Sequence, residues 1–197
     1  MKKFLALMAL SLSFNAHALT IDLVPSSSNV NLGDSLEVRA QISGLKTPSA
    51  SALGVYDLNV LFDSSRFALS QIVWGDSALG NQLDLAGFGS LQLSDSSING
   101  TINLFELSFD SALDLENLQA QSFTLFSLIF SSIHTGVGAF SLDVNSLGDA
   151  YGNNITADTI NNTHVNVNSV SVPEPATNFL LLIGLIALGF ARIKRQD

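Results

Sequence analysis

From Leu19 onward, apolar and polar residues alternate with a period of two. The clearest run is Ser35–Ile42. Leu36, Val38, Ala40 and Ile42 fall on one face; Ser35, Glu37, Arg39 and Gln41 fall on the other. Successive strand side chains point to opposite sheet faces, so the run predicts a half-buried strand, introduced by the Gly33-Asp34 turn. Val55–Phe62 repeats the pattern, with Tyr56, Leu58, Val60 and Phe62 expected inward and Asp57 and Asn59 outward. Further strands are predicted at Leu19–Val24, Val30–Leu32, Phe67–Trp74, Leu91–Leu93, Ile98–Phe109, Phe123–Ser131 and Ala139–Asn145. Ser111–Gln119 is the one predicted helix. Ser111 can cap it, and Asp114 and Glu116 suit the positive end of its dipole. About nine strands, with turn signals every 8–12 residues or so, predict an all-β antiparallel sandwich or jelly roll over residues 19–155. Gly75–Gly89 is a long, glycine-punctuated connection. A last candidate near His164–Val172 reads either as a strand or as an extended linker, and the Asn/Thr-rich segment 156–172 that holds it is expected to be a polar stalk.

The two ends break the period. Residues 1–18 carry Lys2 and Lys3, an apolar run from Phe4 to Phe14, and Ala16-His17-Ala18 as a small-x-small site. That order of regions predicts a secretory signal cleaved between Ala18 and Leu19. At the other end, Val172-Pro173-Glu174-Pro175 precedes an uncharged apolar stretch, 176–191, and then Arg192-Ile193-Lys194-Arg195. Its 16 residues would span roughly 24 Å as a helix, against about 30 Å of hydrocarbon. Arg192, Lys194 and Arg195 can snorkel to the far interface and act as a basic anchor. This ending resembles the PEP-CTERM sorting signal of Gram-negative bacteria. The resemblance covers residues 172–197 and implies processing by exosortase, a membrane transpeptidase or protease.

Composition narrows the function. Hydrophobic residues make up 47% of the 197, enough for a packed core. Between Leu19 and Val172 only Arg39, Lys46 and Arg66 face 15 acids, a net of −12. Such a surface repels phosphate backbones, so nucleic acid is excluded as a partner. There is no cysteine, which removes thiol catalysis, disulfides and thiolate metal sites.

Candidate chemistry is sparse. Behind the signal, only His134 in a turn and His164 in the expected stalk remain, and neither sits in a catalytic motif. Glu106 and Asp110 could suggest a glycosidase pair. Four residues along a strand, however, separate them by about 13 Å, beyond the roughly 5–9.5 Å such mechanisms use. A non-enzyme is expected. Asp143, Asn145 and Asp149 place oxygen ligands around a Gly148/Gly152 turn, which reads either as a calcium site or as a polar β-turn; no other cofactor is expected. Trp74 reads either as core or as a sugar-stacking platform.

Ile21-Asp-Leu-Val-Pro-Ser and Val30-Asn-Leu-Gly-Asp-Ser-Leu-Glu-Val resemble the opening of a cohesin domain. Gly54-Val-Tyr-Asp-Leu-Asn-Val-Leu-Phe-Asp63, Ile102-Asn-Leu-Phe-Glu106, Phe123-Thr-Leu-Phe-Ser-Leu-Ile-Phe130 and Asn145-Ser-Leu-Gly-Asp149 continue the likeness, over residues 21–155. The resemblance implies a jelly-roll sandwich related to family-3 carbohydrate-binding modules, with one sheet face that binds a dockerin-like protein. A carbohydrate-binding or structural role in an extracellular polysaccharide matrix is the alternative it leaves open.

Overall fold

The computed structural model describes residues 18–48 and 50–170. The segments carrying Ala16, Val172, Pro173, Glu174, Pro175, Arg192, Lys194 and Arg195, with the expected membrane helix 176–191, lie outside the described residues. The strands are β1 Thr20–Pro25, β2 Asn29–Asn31, β3 Ser35–Ser43, β4 Leu53–Phe62, β5 Phe67–Trp74, β6 Ser90–Asp95, β7 Thr101–Ser108, β8 Ser122–Ser132, β9 Gly136–Asp149, β10 Thr159–Asn161 and β11 Thr163–Asn168; helix α1 is Ala112–Leu118. They form two sheets, β10-β1-β3-β8-β5 and β2-β11-β9-β4-β7-β6. The expected all-β sandwich with one short helix is what is found. Its strand pairing is antiparallel except at the margins, where β10 runs parallel to β1 and β2 parallel to β11.

Alternation explains the core. In β3, Leu36, Val38, Ala40 and Ile42 are fully buried, and in β4 so are Tyr56, Leu58 and Val60. Phe62 is half-buried at the strand end, its ring 4.9 Å from that of Phe130. Phe67, Phe130 and Phe140 pack together with centroids 4.9–6.3 Å apart, the offset and edge contacts that aromatic quadrupoles favour. Trp74 is half-buried against this core. At α1, the Ser111 Oγ accepts from the Asp114 N–H at 3.2 Å.

The long connection is not loose. Gln119, 3% exposed after α1, accepts from Leu53 N–H and donates to the Leu53 and Gln82 carbonyls. Gln82 in turn accepts from Ala120 N–H. Each buried amide is satisfied, so the pair holds 75–89 against β4 and the end of α1 at little desolvation cost.

The expected stalk is corrected by the structure. Residues 159–168 form β10 and β11, and Val165 and Val167 are buried. His164-Val-Asn-Val-Asn168 is itself a period-two strand, hidden in a polar composition, and β9 offers it an open edge to pair with. The sandwich therefore continues to Asn168, well beyond residue 155.

Candidate functional site

The outer face of β6-β7-β4-β9 is where exposed side chains depart most from an ordinary solvated sheet. Register places Leu91, Leu107 and Val55 in one cross-strand row. The next row holds Leu93, Phe105, Asp57 and Ser146, and the third holds Asp95, Asn103, Asn59 and Asp143. One corner of the face is thus apolar and the neighbouring area carries amides and carboxylates. Leu91, Leu93 and Leu107 are 41%, 54% and 36% exposed. Phe88 and Phe109, close to the β6 and β7 ends, are more than half exposed. Contiguous exposed apolar groups rimmed by polar ones mark interaction surfaces.

The polar area is organised. Asp57 Oδ1 accepts from Asn103 Nδ2 at 2.7 Å and from Asn145 Nδ2 at 2.9 Å. Asn103 also donates to Asn59 Oδ1 at 2.9 Å, and Asn59 donates to Asn145 Oδ1 at 3.1 Å. A β-bulge makes this closure. Leu58 pairs with Val144 and Asp57 with Ser146, so Asn145 is the extra residue and turns onto the face beside Asp57. Four side chains from three strands are held in fixed positions before any partner arrives.

The reason the leucines point outward lies beneath them. Glu106 is fully buried, and its row brings Gln92 and Tyr56 inward. Tyr56 donates to Glu106 Oε2 at 2.9 Å, while Asn81, Ser90 and Gln92 donate to Oε1 at 2.6, 2.6 and 2.8 Å. Burial, reinforced by the charge of Glu106 and its hydrogen bond, pushes the Tyr56 hydroxyl well above the ordinary tyrosine value. Glu106 is a saturated internal pin. Asp110 is held separately, its Oδ2 accepting from Leu85 and Ala86 N–H at 2.5 and 3.1 Å. The two acids thus have separate hydrogen-bond partners.

The calcium reading finds no common site. Asp143 is exposed opposite Asn59, and Asn145 belongs to the Asp57 network. Asp149 accepts from Tyr151 N–H, Asn153 N–H and Asn153 Nδ2 within its own turn. Burial works against the Asp149 charge, but Asn153 and these backbone groups outweigh it and hold the carboxyl below its ordinary value. Asp149 is spent on closing a polar turn. No three His, Asp or Glu side chains gather as a metal site among the described residues. His134 and His164 are both exposed, in a turn and on β11. Of the cleavage residues, Ala18 and Leu19 are described, and Leu19 is buried immediately before β1.

The fold is that of solved cohesin domains. A type II cohesin from the Acetivibrio cellulolyticus cellulosome superposes with a TM-score of 0.60 at 14% identity, covering 76% of this chain and 95% of that one. The type I cohesin of a cohesin–dockerin complex from Clostridium thermocellum gives 0.56 at 14%, covering 75% and 99%. A non-cellulosomal cohesin from the archaeon Archaeoglobus fulgidus gives 0.54 at 18%, covering 82% and 96%. No protein-family model matches the chain, and no curated protein matches its sequence.

Proposed function

We propose that this chain is a secreted, membrane-anchored bacterial surface protein whose cohesin-like module binds a dockerin-like protein without catalysis. The observation that carries the reading is the β6-β7-β4-β9 face. It pairs exposed Leu91, Leu93 and Leu107 with a preformed Asp57–Asn59–Asn103–Asn145 network. An apolar anchor area beside fixed polar groups suits a protein partner: the leucines supply desolvation, and the amides select register. The cohesin–dockerin complex among the similar structures favours a dockerin-like partner over other proteins. Among the described residues, His134 and His164 are exposed, and Glu106 and Asp110 are held by separate partners.

The signal at 1–18 and the Val172-Pro-Glu-Pro175 tail support export followed by exosortase processing. The test is calorimetry of the purified full chain against dockerin domains encoded by the same bacterium, with exopolysaccharide from that bacterium as a second titrant. Saturable binding of a dockerin is expected. Binding of the polysaccharide alone would replace this reading with a carbohydrate-binding one. In the producing cell, Glu174→Ala should leave the tail uncut; an unchanged C-terminal mass would remove exosortase from the account.

A further inference from the structure

The backbone N–H of Leu19 donates to Asp158 Oδ2 at 2.8 Å, across 139 residues of sequence. The Leu19 carbonyl accepts in return from Asp158 N–H at 2.7 Å and from Thr159 N–H at 3.3 Å. The Leu19 side chain is 3% exposed in the core. One residue is therefore gripped at its nitrogen, its oxygen and its side chain, and it is the residue that follows the expected cleavage site. Immediately before it the lane narrows: a Cβ on Gly44 would collide with the Ala18 carbonyl oxygen and stand 3.2 Å from Leu19 Cα.

We infer that Asp158 is the built-in receptor for a processed N-terminus, the Leu19 α-ammonium made by signal cleavage. The inference rests on the export reading above. Hydrolysis of the Ala18–Leu19 amide consumes one water. Its hydroxyl goes to the Ala18 carbonyl carbon and its hydrogen to the Leu19 nitrogen, and proton transfer leaves Ala18 as a carboxylate and Leu19 as an ammonium. The neutral N–H that faces Asp158 thereby becomes a cation without any change in position. The gain is selective for this end point, because retaining Ala18 keeps an uncharged amide at the same place. Of the three cations among the described residues, Arg66 pairs with Asp63, Lys46 donates to the Leu115 carbonyl at the end of α1, and Arg39 lies on β3 in register with Val24, at the far end of β1 from Leu19. The other charged group on β1 is Asp22, which is engaged by Asn161. β10 and the end of β3 bring only Thr159, Ile160, Asn161, Ile42 and Ser43 to this margin.

An ammonium beside a carboxylate titrates above its usual range of about 7.7–8.0. A cation whose folded value is raised stabilises the fold fully below about 8 and loses that contribution as pH rises through the folded value. The test uses the secreted full-length gene product. Intact mass spectrometry reads the N-terminus, and competitive acylation across pH, read on the N-terminal peptide, gives the α-amino midpoint. A Leu19 N-terminus with a midpoint raised above the ordinary α-amino range is expected, falling back in Asp158→Asn and unmoved in Asp22→Asn. A different N-terminus would overturn the cleavage reading. A Leu19 terminus with an ordinary midpoint would overturn the pairing while leaving cleavage standing. The unmodified protein decides this alone should Asp158→Asn fail to fold.

Discussion

Tyr56 and Glu106 face each other in register across β4 and β7, joined by a 2.9 Å hydrogen bond in a place where neither residue is exposed. The pair decides the polarity of the whole corner. A buried carboxylate needs donors, so Gln92, Ser90 and Asn81 turn inward, and the residues that alternate with Gln92, Leu91 and Leu93, turn outward.

Tyr56→Phe leaves Glu106 Oε2 buried without its donor. A loss of about 1–3 kcal/mol in urea unfolding is expected. The pH dependence carries a sign. An acid whose folded value is raised keeps its stabilising contribution below its unfolded value, about 10 for tyrosine, and loses it as pH rises beyond. Between pH 9 and 11, the unmodified protein should therefore lose stability more steeply than Tyr56→Phe. Parallel slopes would show that the hydroxyl is not held protonated.

At acid pH the indicator is Asp76. Burial opposes its charge, but the N–H groups of Thr124, Ala78 and Leu79 and the Thr124 hydroxyl outweigh it and lower its value. A depressed carboxyl stabilises the fold above its unfolded value, about 3.9, and that contribution disappears as pH falls through the folded value. Asp76→Asn should be less stable than the parent at pH 6 and should converge with it near pH 2, as thermal unfolding at the two pH values will show.

Val165 is fully buried on β11, while His164 beside it is exposed. Val165→Ala removes two buried methyl groups and should cost about 2 kcal/mol. His164→Ala should stay within about 0.5 kcal/mol. Equal, negligible effects would return this segment to a stalk.

Much of the sandwich was legible because its strands follow the two-residue period. Leu36, Val38, Ala40 and Ile42 announce β3, and Tyr56, Leu58 and Val60 announce β4. Elsewhere the period was present but did not decide between two readings. Around Val165 and Val167, two apolar residues among asparagines are enough for a strand once β9 is there to pair with, a long-range fact that no local window contains. In β6 the strand itself was legible at Leu91–Leu93, but which way its leucines face depends on Glu106, buried in register with Gln92 on the neighbouring β7. Asp57 and Asn59 were correctly placed outward. Their union with Asn145 depends on a bulge in β9, and one inserted residue carries no signal in Asp143-Val-Asn-Ser146.

The central claim is that the β6-β7-β4-β9 face receives the partner. The most direct measurement is the dissociation constant of a dockerin for two variants of the full chain, each checked for an unchanged melting temperature. Leu93→Asp puts a charge into the apolar corner; Glu37→Ala alters β3 on the opposite sheet. Leu93→Asp should weaken binding at least about tenfold, equivalent to about 1.4 kcal/mol, with Glu37→Ala within about twofold of the parent. Undiminished binding by Leu93→Asp, or a larger loss in Glu37→Ala, would contradict the assignment of this face.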